Sequence, residues 1–160
     1  MENERVIAQF GNRLRTRVCG ICVEHDKILM VKHLGLGKTH LWAPPGGGVK
    51  YAESIEHALK REFLEETTLK IEVENFLFTH EFLAPPLHAI ELFFKVKIVG
   101  GNLTVGIDPE MKDEQIIEQV SFQNFESLKA GFKENLHPAM REVQSLEDFL
   151  GMQGFYSYVK

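Results

Sequence analysis

The stretch Ser54-Ile55-Glu56-His57-Ala58-Leu59-Lys60-Arg61-Glu62-Phe63-Leu64-Glu65-Glu66-Thr67 decides the fold. On a helix at ~100° per residue with Glu62 at zero, Ile55 falls near ~+20°, Ala58 near ~−40°, Leu59 near ~+60° and Phe63 near ~+100°. Glu66 falls near ~+40°, inside that apolar stripe with Glu62, and Glu65 lies on its edge near ~−60°. The spacing therefore predicts a helix over 54–67, with Ser54 as N-cap, whose buried face turns from hydrocarbon to carboxylate. Burying carboxylates together is costly unless something positive compensates. The helix dipole adds to the cost, because a helix C-terminus favours cations. A local rule broken in this way points to a functional site. Clustered carboxylates are hard oxygen ligands, suited to Mg2+ or Mn2+. The plainer alternative is an acidic helix end neutralised by Arg61.

Working upstream, Pro44-Pro45-Gly46-Gly47-Gly48 reads as irregular backbone that a ligand can approach closely. Leu41-Trp42-Ala43 is short and apolar. Before it, Arg13, Arg15 and Arg17 alternate with Leu14, Thr16 and Val18, a period of two that predicts a strand continuing to Val23. A turn at His25-Asp26-Lys27 leads to a central strand over 28–31. Residues 1–12 form a short helix or arm. Downstream, strands are expected over 71–82 and 88–99, joined by a Pro85-Pro86 turn, and over 117–122. Residues 103–115 are a polar loop. Pro138 opens an expected helix over 137–150 with Met140, Val143, Leu146, Phe149 and Leu150 as its stripe. Mixed strands and a few helices place the chain in the α/β (α+β) class.

The bulk properties agree with a single domain over 1–160. With 44% hydrophobic and 26% charged residues the chain is neither disordered nor low-complexity. No apolar run reaches the ~18 residues of a membrane span. The charged N-terminus lacks the apolar stretch of a signal peptide, so a cytoplasmic location is the default expectation. A net charge of −5 argues against a general nucleic-acid binder. Cys19 and Cys22 have C-x-x-C spacing, but on a strand residues three apart face opposite ways. With no second cysteine pair to complete a zinc site, two buried reduced thiols are expected.

Gly47, five residues, Glu53, seven residues, then Arg61-Glu62-Phe63-Leu64-Glu65-Glu66-Thr67-Thr68-Leu69 resembles the Nudix box, G-x5-E-x7-R-E-U-x-E-E-x-G-U with U bulky and apolar. Thr68 stands where that pattern has glycine, which puts the helix end in question. A glycine there would take a left-handed conformation that strains threonine by roughly 1 kcal/mol. The resemblance implies a Nudix-like α/β/α sandwich around a central mixed sheet. It implies hydrolysis of a nucleoside diphosphate linked to another moiety, with Glu62, Glu65 and Glu66 binding Mg2+ (or Mn2+). Glu62 or Glu65 would also serve as base. Arg61 would pair with Glu53, and the carbonyl of Gly46 or Gly47 would complete the coordination. Glu114 is the first choice for a further glutamate on a later loop, with Glu110 and Glu118 as alternatives.

For substrate contacts, Arg17, Lys32, Gly47 and Gly48 are the candidates, with Arg15, His33, Lys38 and His40 on neighbouring segments. Trp42, Phe78 and Phe82 are read first as core and second as base-stacking rings. Pro85 lies 16 residues after Leu69, a spacing that in the resembled family accompanies ADP-ribose cleavage. The expected partner is a small nucleotide: ADP-ribose or a similar nucleotide sugar first, a nucleoside triphosphate (an oxidised dNTP included) second. A non-catalytic nucleotide sensor is a third reading. The N-terminal arm and the arginine strand are candidate homodimer surfaces.

Overall fold

The structure is a computed structural model that describes residues 2–34, 39–107, 109 and 116–160. Helix α1 (Glu2–Phe10) is followed by β1 (Arg13–Glu24), β2 (Lys27–Leu34), β3 (His40–Ala43), β4 (Gly46–Gly48) and α2 (Ile55–Thr67). Then come β5 (Leu69–Ala84), β6 (Leu87–Gly101), β7 (Ile117–Gln123), α3 (Phe125–Phe132), α4 (Pro138–Arg141), α5 (Leu146–Leu150) and β8 (Gly154–Val159). The strands form one mixed sheet of order β3-β2-β1-β6-β5-β8, with β4 on β1 and β7 on β2. β1 runs parallel to β6, and β5 parallel to β8; the other pairings are antiparallel. The β1–β2 turn holds His25 and Asp26 at φ 50 and 59, the left-handed pair that a two-residue hairpin needs.

Helices cover both faces, as the α/β/α expectation requires. On one face α2 buries Ala58, Leu59 and Phe63 against Val18, Cys22, Leu29 and Val96. Each large side chain buried there contributes roughly 1.5–3 kcal/mol. On the other face Phe125, Leu128, Met140 and Phe149 close over Cys19, Ile21, Met30, Phe78 and Phe93. The strand residues 28–31 are all buried, and Phe78 stacks on Phe93 at 4.4 Å. Cys19 and Cys22 are free thiols, buried in opposite cores.

Several expectations need correction. The single helix over 137–150 is two short helices. The first ends at Arg141, and Ser145 adopts an extended backbone (φ −142, ψ 165) and caps α5 by accepting from Asp148 N, which starts the second. The glycine run is a short strand, not irregular. Gly46 lies so close to β1 that a Cβ would stand 2.1 Å from Val18 O, so a side chain there is excluded and the backbones pair. Helix α3, capped by Asn124, and strand β8 were not foreseen.

Candidate active site

Helix α2 begins at Ser54, whose side chain accepts from His57 N at 3.2 Å. Its face presents Glu62, which is 8% exposed, and the half-buried Glu65 and Glu66 toward β4. Gly46 N donates to Glu66 Oε2 at 3.0 Å. A Cβ on Gly47 would fall 2.3 Å from Glu62 Cδ, so the missing side chain makes room for the carboxylate. Gly46, Gly47, Glu62 and Glu66 thus meet at one place, with Glu65 joined to it through Arg61.

Arg61 ties the site together. Its Nε and Nη2 donate to Glu53 Oε1 and Oε2 at 2.6 and 2.9 Å, a bidentate pair. Nη1 donates to Glu62 Oε1 at 2.7 Å and Glu65 Oε2 at 3.1 Å, and Nη2 also donates to Gly48 O at 3.0 Å. Glu53 accepts in addition from Lys50 N. The Arg61 hydrogen bonds hold the Glu53 carboxyl down to about 2, well below its usual range. Burial works the other way on Glu62. Despite its bond to Arg61, its pKa is pushed up to about 7, with the neighbouring charge of Glu65 adding to the rise.

Thr68 ends α2 in the left-handed conformation (φ 60, ψ 14) that a glycine would take freely. Its hydroxyl donates to Asn102 O and pairs with Thr104 Oγ1 at 2.7 Å. The segment 102–107 also satisfies the carbonyls left open at the helix end. Thr104 N, Gly106 N and Ile107 N donate to Thr67 O, Glu66 O and Glu65 O. The helix end therefore survives the departure from glycine, and the backbone of Glu65 and Glu66 is fixed.

Outside the box, a row of paired residues crosses the sheet: Gly48, Arg17, Glu91, His80 and Tyr156. Glu91 is 3% exposed and accepts from His80 Nδ1 at 3.0 Å and His137 Nε2 at 2.8 Å. Burial opposes its charge, but His137, His80 and Arg17 together hold the carboxyl far below its usual range. These three residues are grouped closely enough to hold an ion. However, His137 Nδ1 accepts from Ala139 N at 3.1 Å, which puts the ring proton on Nε2 and leaves no lone pair there for a metal. The group is a satisfied hydrogen-bond network. It carries no local sequence signal, because it arises from the β5–β6 register and the α4 cap.

Arg17 stands between this network and the box. Burial opposes its charge, and Glu91, Glu66 and Glu62 outweigh burial, so its pKa is raised. Its Nε is buried with no hydrogen-bond partner among the described residues. His33 is lowered to about 4 by burial, with Arg17 and His137 adding to the effect.

Lys32 lies on β2, paired with Trp42 of β3. It pairs with Glu118 at 3.5 Å, and Glu118 also meets His40 at 2.9 Å. The structure thus places Glu118 on β7 beside Lys32 and His40. Glu114, Glu110 and Lys38 lie outside the described residues. Trp42 and Phe78 belong to the core, and Phe82 stacks on Tyr158 at 5.5 Å.

The donor set of Glu62, Glu65 and Glu66, with the backbone of β4 beside it, is all oxygen and fits a hard divalent cation. A mixed sheet between helices, with a glycine strand set against the glutamate face of one helix, defines a Nudix-type domain. A family model described as the NUDIX domain matches residues 11–144, and the chain belongs to that family. It is 34% identical over 93 residues to an ADP-ribose pyrophosphatase of Methanocaldococcus jannaschii, covering 57% of this chain and 55% of that protein. It is 43% identical over 63 residues to an 8-oxo-dGTP diphosphatase of Buchnera aphidicola, covering 39% of this chain and 50% of that protein. The chain spans about half the length of the curated relatives it matches. A NUDIX hydrolase structure from Nitrosomonas europaea superposes with TM-score 0.68 at 22% identity, over 86% of this chain and 88% of that one, and shares the fold. No helix among the described residues is long and apolar enough to cross a membrane.

Proposed function

We propose that this protein hydrolyses the pyrophosphate linkage of a nucleoside diphosphate derivative, using Mg2+ or Mn2+, with ADP-ribose or a similar nucleotide sugar as the favoured substrate. The observation that carries this reading is the convergence of Glu62, Glu66 and the side-chain-free strand Gly46–Gly48 around the Arg61 knot. Glu62, Glu65 and Glu66 would hold the cation, with the carbonyl of Gly46 as a further ligand. When bound, the ion supplies charge neutralisation for the pyrophosphate and acidifies a water molecule.

The chain's own residues do the rest. Arg61 fixes the carboxylates relative to β4. Arg17, half-buried and with no hydrogen-bond partner for its Nε–H among the described residues, offers that donor to a phosphate oxygen and balances developing charge. A water oxygen attacks one phosphorus and the bridging P–O bond breaks. The water's proton passes to Glu62 or Glu65, and the leaving phosphate keeps the bonding electron pair.

The relative named ADP-ribose pyrophosphatase and the Pro85 spacing favour the nucleotide sugar. The relative named 8-oxo-dGTP diphosphatase favours the second reading, a nucleoside triphosphate pyrophosphohydrolase. Product analysis separates them. AMP plus ribose 5-phosphate from ADP-ribose, abolished by EDTA, supports the first. A nucleoside monophosphate plus pyrophosphate from triphosphates alone supports the second. Tight nucleotide binding with metal and no cleavage of any substrate overturns both. Residence in the cytoplasm and a homodimer through the N-terminal arm are proposed with this reading, and sedimentation would test the dimer.

A further inference from the structure

Helix α2 covers only part of its side of the sheet. It packs on Val18, Cys22 and Val96, and the same side continues beyond it over the first half of β6, the second half of β5 and β8. Strand alternation and the pairing register put Leu14, Phe76, Ile90, Leu92, Phe155 and Val159 on this side. Leu14, Phe76, Phe155 and Val159 are 63, 53, 62 and 64% exposed. A sheet face left to water ordinarily carries polar residues at such positions. Glu81 and His88 lie on it too, but they pair with each other at 2.9 Å.

The face holds both halves of a contact. Where it meets α2, Ile55, Leu59, Val73, Leu92 and Phe94 line an apolar slot of ≈ 280 Å3, together with Glu56, which Lys60 engages at 2.6 Å. That volume falls below the ~300–1,000 Å3 of small-molecule sites and suits a single side chain. The side chain is at hand on the same face. Leu92 pairs with Thr79 and Thr79 with Phe155, so Phe155 stands two strands from the slot, ~10 Å across the sheet. A two-fold axis running between two such faces over Thr79 would carry each Phe155 to the slot of the other copy. That is the isologous arrangement, in which one residue meets a second and the second meets the first.

The area is sufficient. Phe76 and Phe155 would each lose roughly 100 Å2. With the other exposed and half-buried side chains the face offers roughly 600 Å2 per copy, about 1,200 Å2 for a pair, which reaches the range of a specific interface. A monomer rarely leaves an apolar patch of that size in water. We infer that the open face of β1, β6, β5 and β8 is the contact surface of a homodimer, with Phe155 of each copy seated in the slot beside α2 of the other. The inference rests on the homodimer reading above and gives it a surface, which α1 joins where it leads into β1 at Leu14. It does not rest on the hydrolytic reading, because neither the box carboxylates nor a metal takes part in the contact.

The test is sedimentation velocity of the full chain over ~1–100 μM, without nucleotide or metal, beside melting curves that show each variant to be folded. The wild type is expected at twice the chain mass. Phe155→Lys changes an exposed position, so it should melt like the wild type, and it should weaken the dimer by ~100-fold or more. Phe76→Lys should act in the same direction. Val99 follows Ile98 on β6 and so points to the opposite side; it is 53% exposed, and Val99→Lys should leave the dimer unchanged. A wild type that stays monomeric at the highest concentration overturns both this inference and the homodimer reading. A dimer that persists in Phe155→Lys and in Phe76→Lys is held by another surface, the N-terminal arm included, and overturns this inference alone. A wild-type dimer that dissociates in those two variants but cleaves nothing with Mg2+ would overturn the hydrolytic reading and leave the interface standing.

Discussion

Gly47 and Glu62 are packed so closely that a methyl group at position 47 would stand 2.3 Å from the glutamate's carboxyl carbon and 2.5 Å from either oxygen. The obstacle is the far end of a flexible side chain, so the fold can yield while the carboxylate cannot stay in place. Gly47→Ala should therefore leave thermal unfolding within a few degrees of wild type. It should lower kcat/KM by ~100-fold or more, as ångström-scale misplacement of a reacting group does. Steady-state hydrolysis with Mg2+, beside a melting curve, checks this. A fully active Gly47→Ala protein would refute the role given to Glu62.

Glu62 itself should trade stability for activity. Its folded pKa is raised to about 7 by burial, above the unfolded value, so ionising it costs stability as pH rises from the unfolded pKa through 7. In EDTA, Glu62→Gln should be more stable than wild type at pH ~8, by the order of 1–3 kcal/mol, and no more stable near pH ~3, where both states of the wild type are protonated. Urea titrations at the two pH values test the sign. Turnover should fall by ~100-fold or more in the same variant, and in Glu66→Gln.

Thr68 gives a pair of variants with opposite logic. Alanine would keep the left-handed strain and lose the hydroxyl's bonds to Asn102 and Thr104, costing ~1–2 kcal/mol. Glycine would lose the same bonds but relieve roughly 1 kcal/mol of strain, and should stay within ~1 kcal/mol of wild type. Chemical denaturation that ranked Thr68→Gly below Thr68→Ala would show that the backbone at this cap is not strained.

What could be read in the sequence depended on whether a signal was local. The α2 face was legible because helical period and charge conflict within one stretch, and the Ser54 cap and the β1–β2 hairpin carry their own turn chemistry. Helix α3 was legible in principle: Asn124 precedes Phe125, Leu128 and Phe132 at helical spacing. Strand β8 was too, as an apolar and aromatic run after Gly154. The pairing of β4 with β1 was not, because three glycines carry no pattern and their role depends on what approaches them. Nor was the Glu91 network, whose members come from β5, β6 and the cap of α4.

The two cysteines should be inert in the folded protein. Burial pushes Cys22 up to about 12 and raises Cys19 further, so neither thiolate forms near neutral pH. Iodoacetamide at pH ~8 should label neither thiol in native protein and both after unfolding, read by mass. Rapid native labelling of Cys19 would mean that the core face of β1 opens.

Glu91 should prove a structural anchor whose loss is felt at the site through Arg17. Its folded pKa is depressed by His137, His80 and Arg17 against burial. Its charge therefore stabilises the protein above the unfolded carboxylate pKa of ~4.3, and that stabilisation disappears as pH falls below it. Glu91→Ala leaves two buried imidazoles without their acceptor and the Arg17 guanidinium without a neighbouring opposite charge, and should cost ~3–5 kcal/mol at pH ~7. Glu91→Gln keeps one oxygen for the histidines and should cost less. The difference between the glutamine variant and the wild type should narrow as pH falls below ~4, as the carboxyl of the unfolded wild-type chain takes up a proton that the folded chain resists. If both variants melted like the wild type at neutral pH, Arg17 would not depend on Glu91, and its charge would have to be balanced by Glu62 and Glu66 alone.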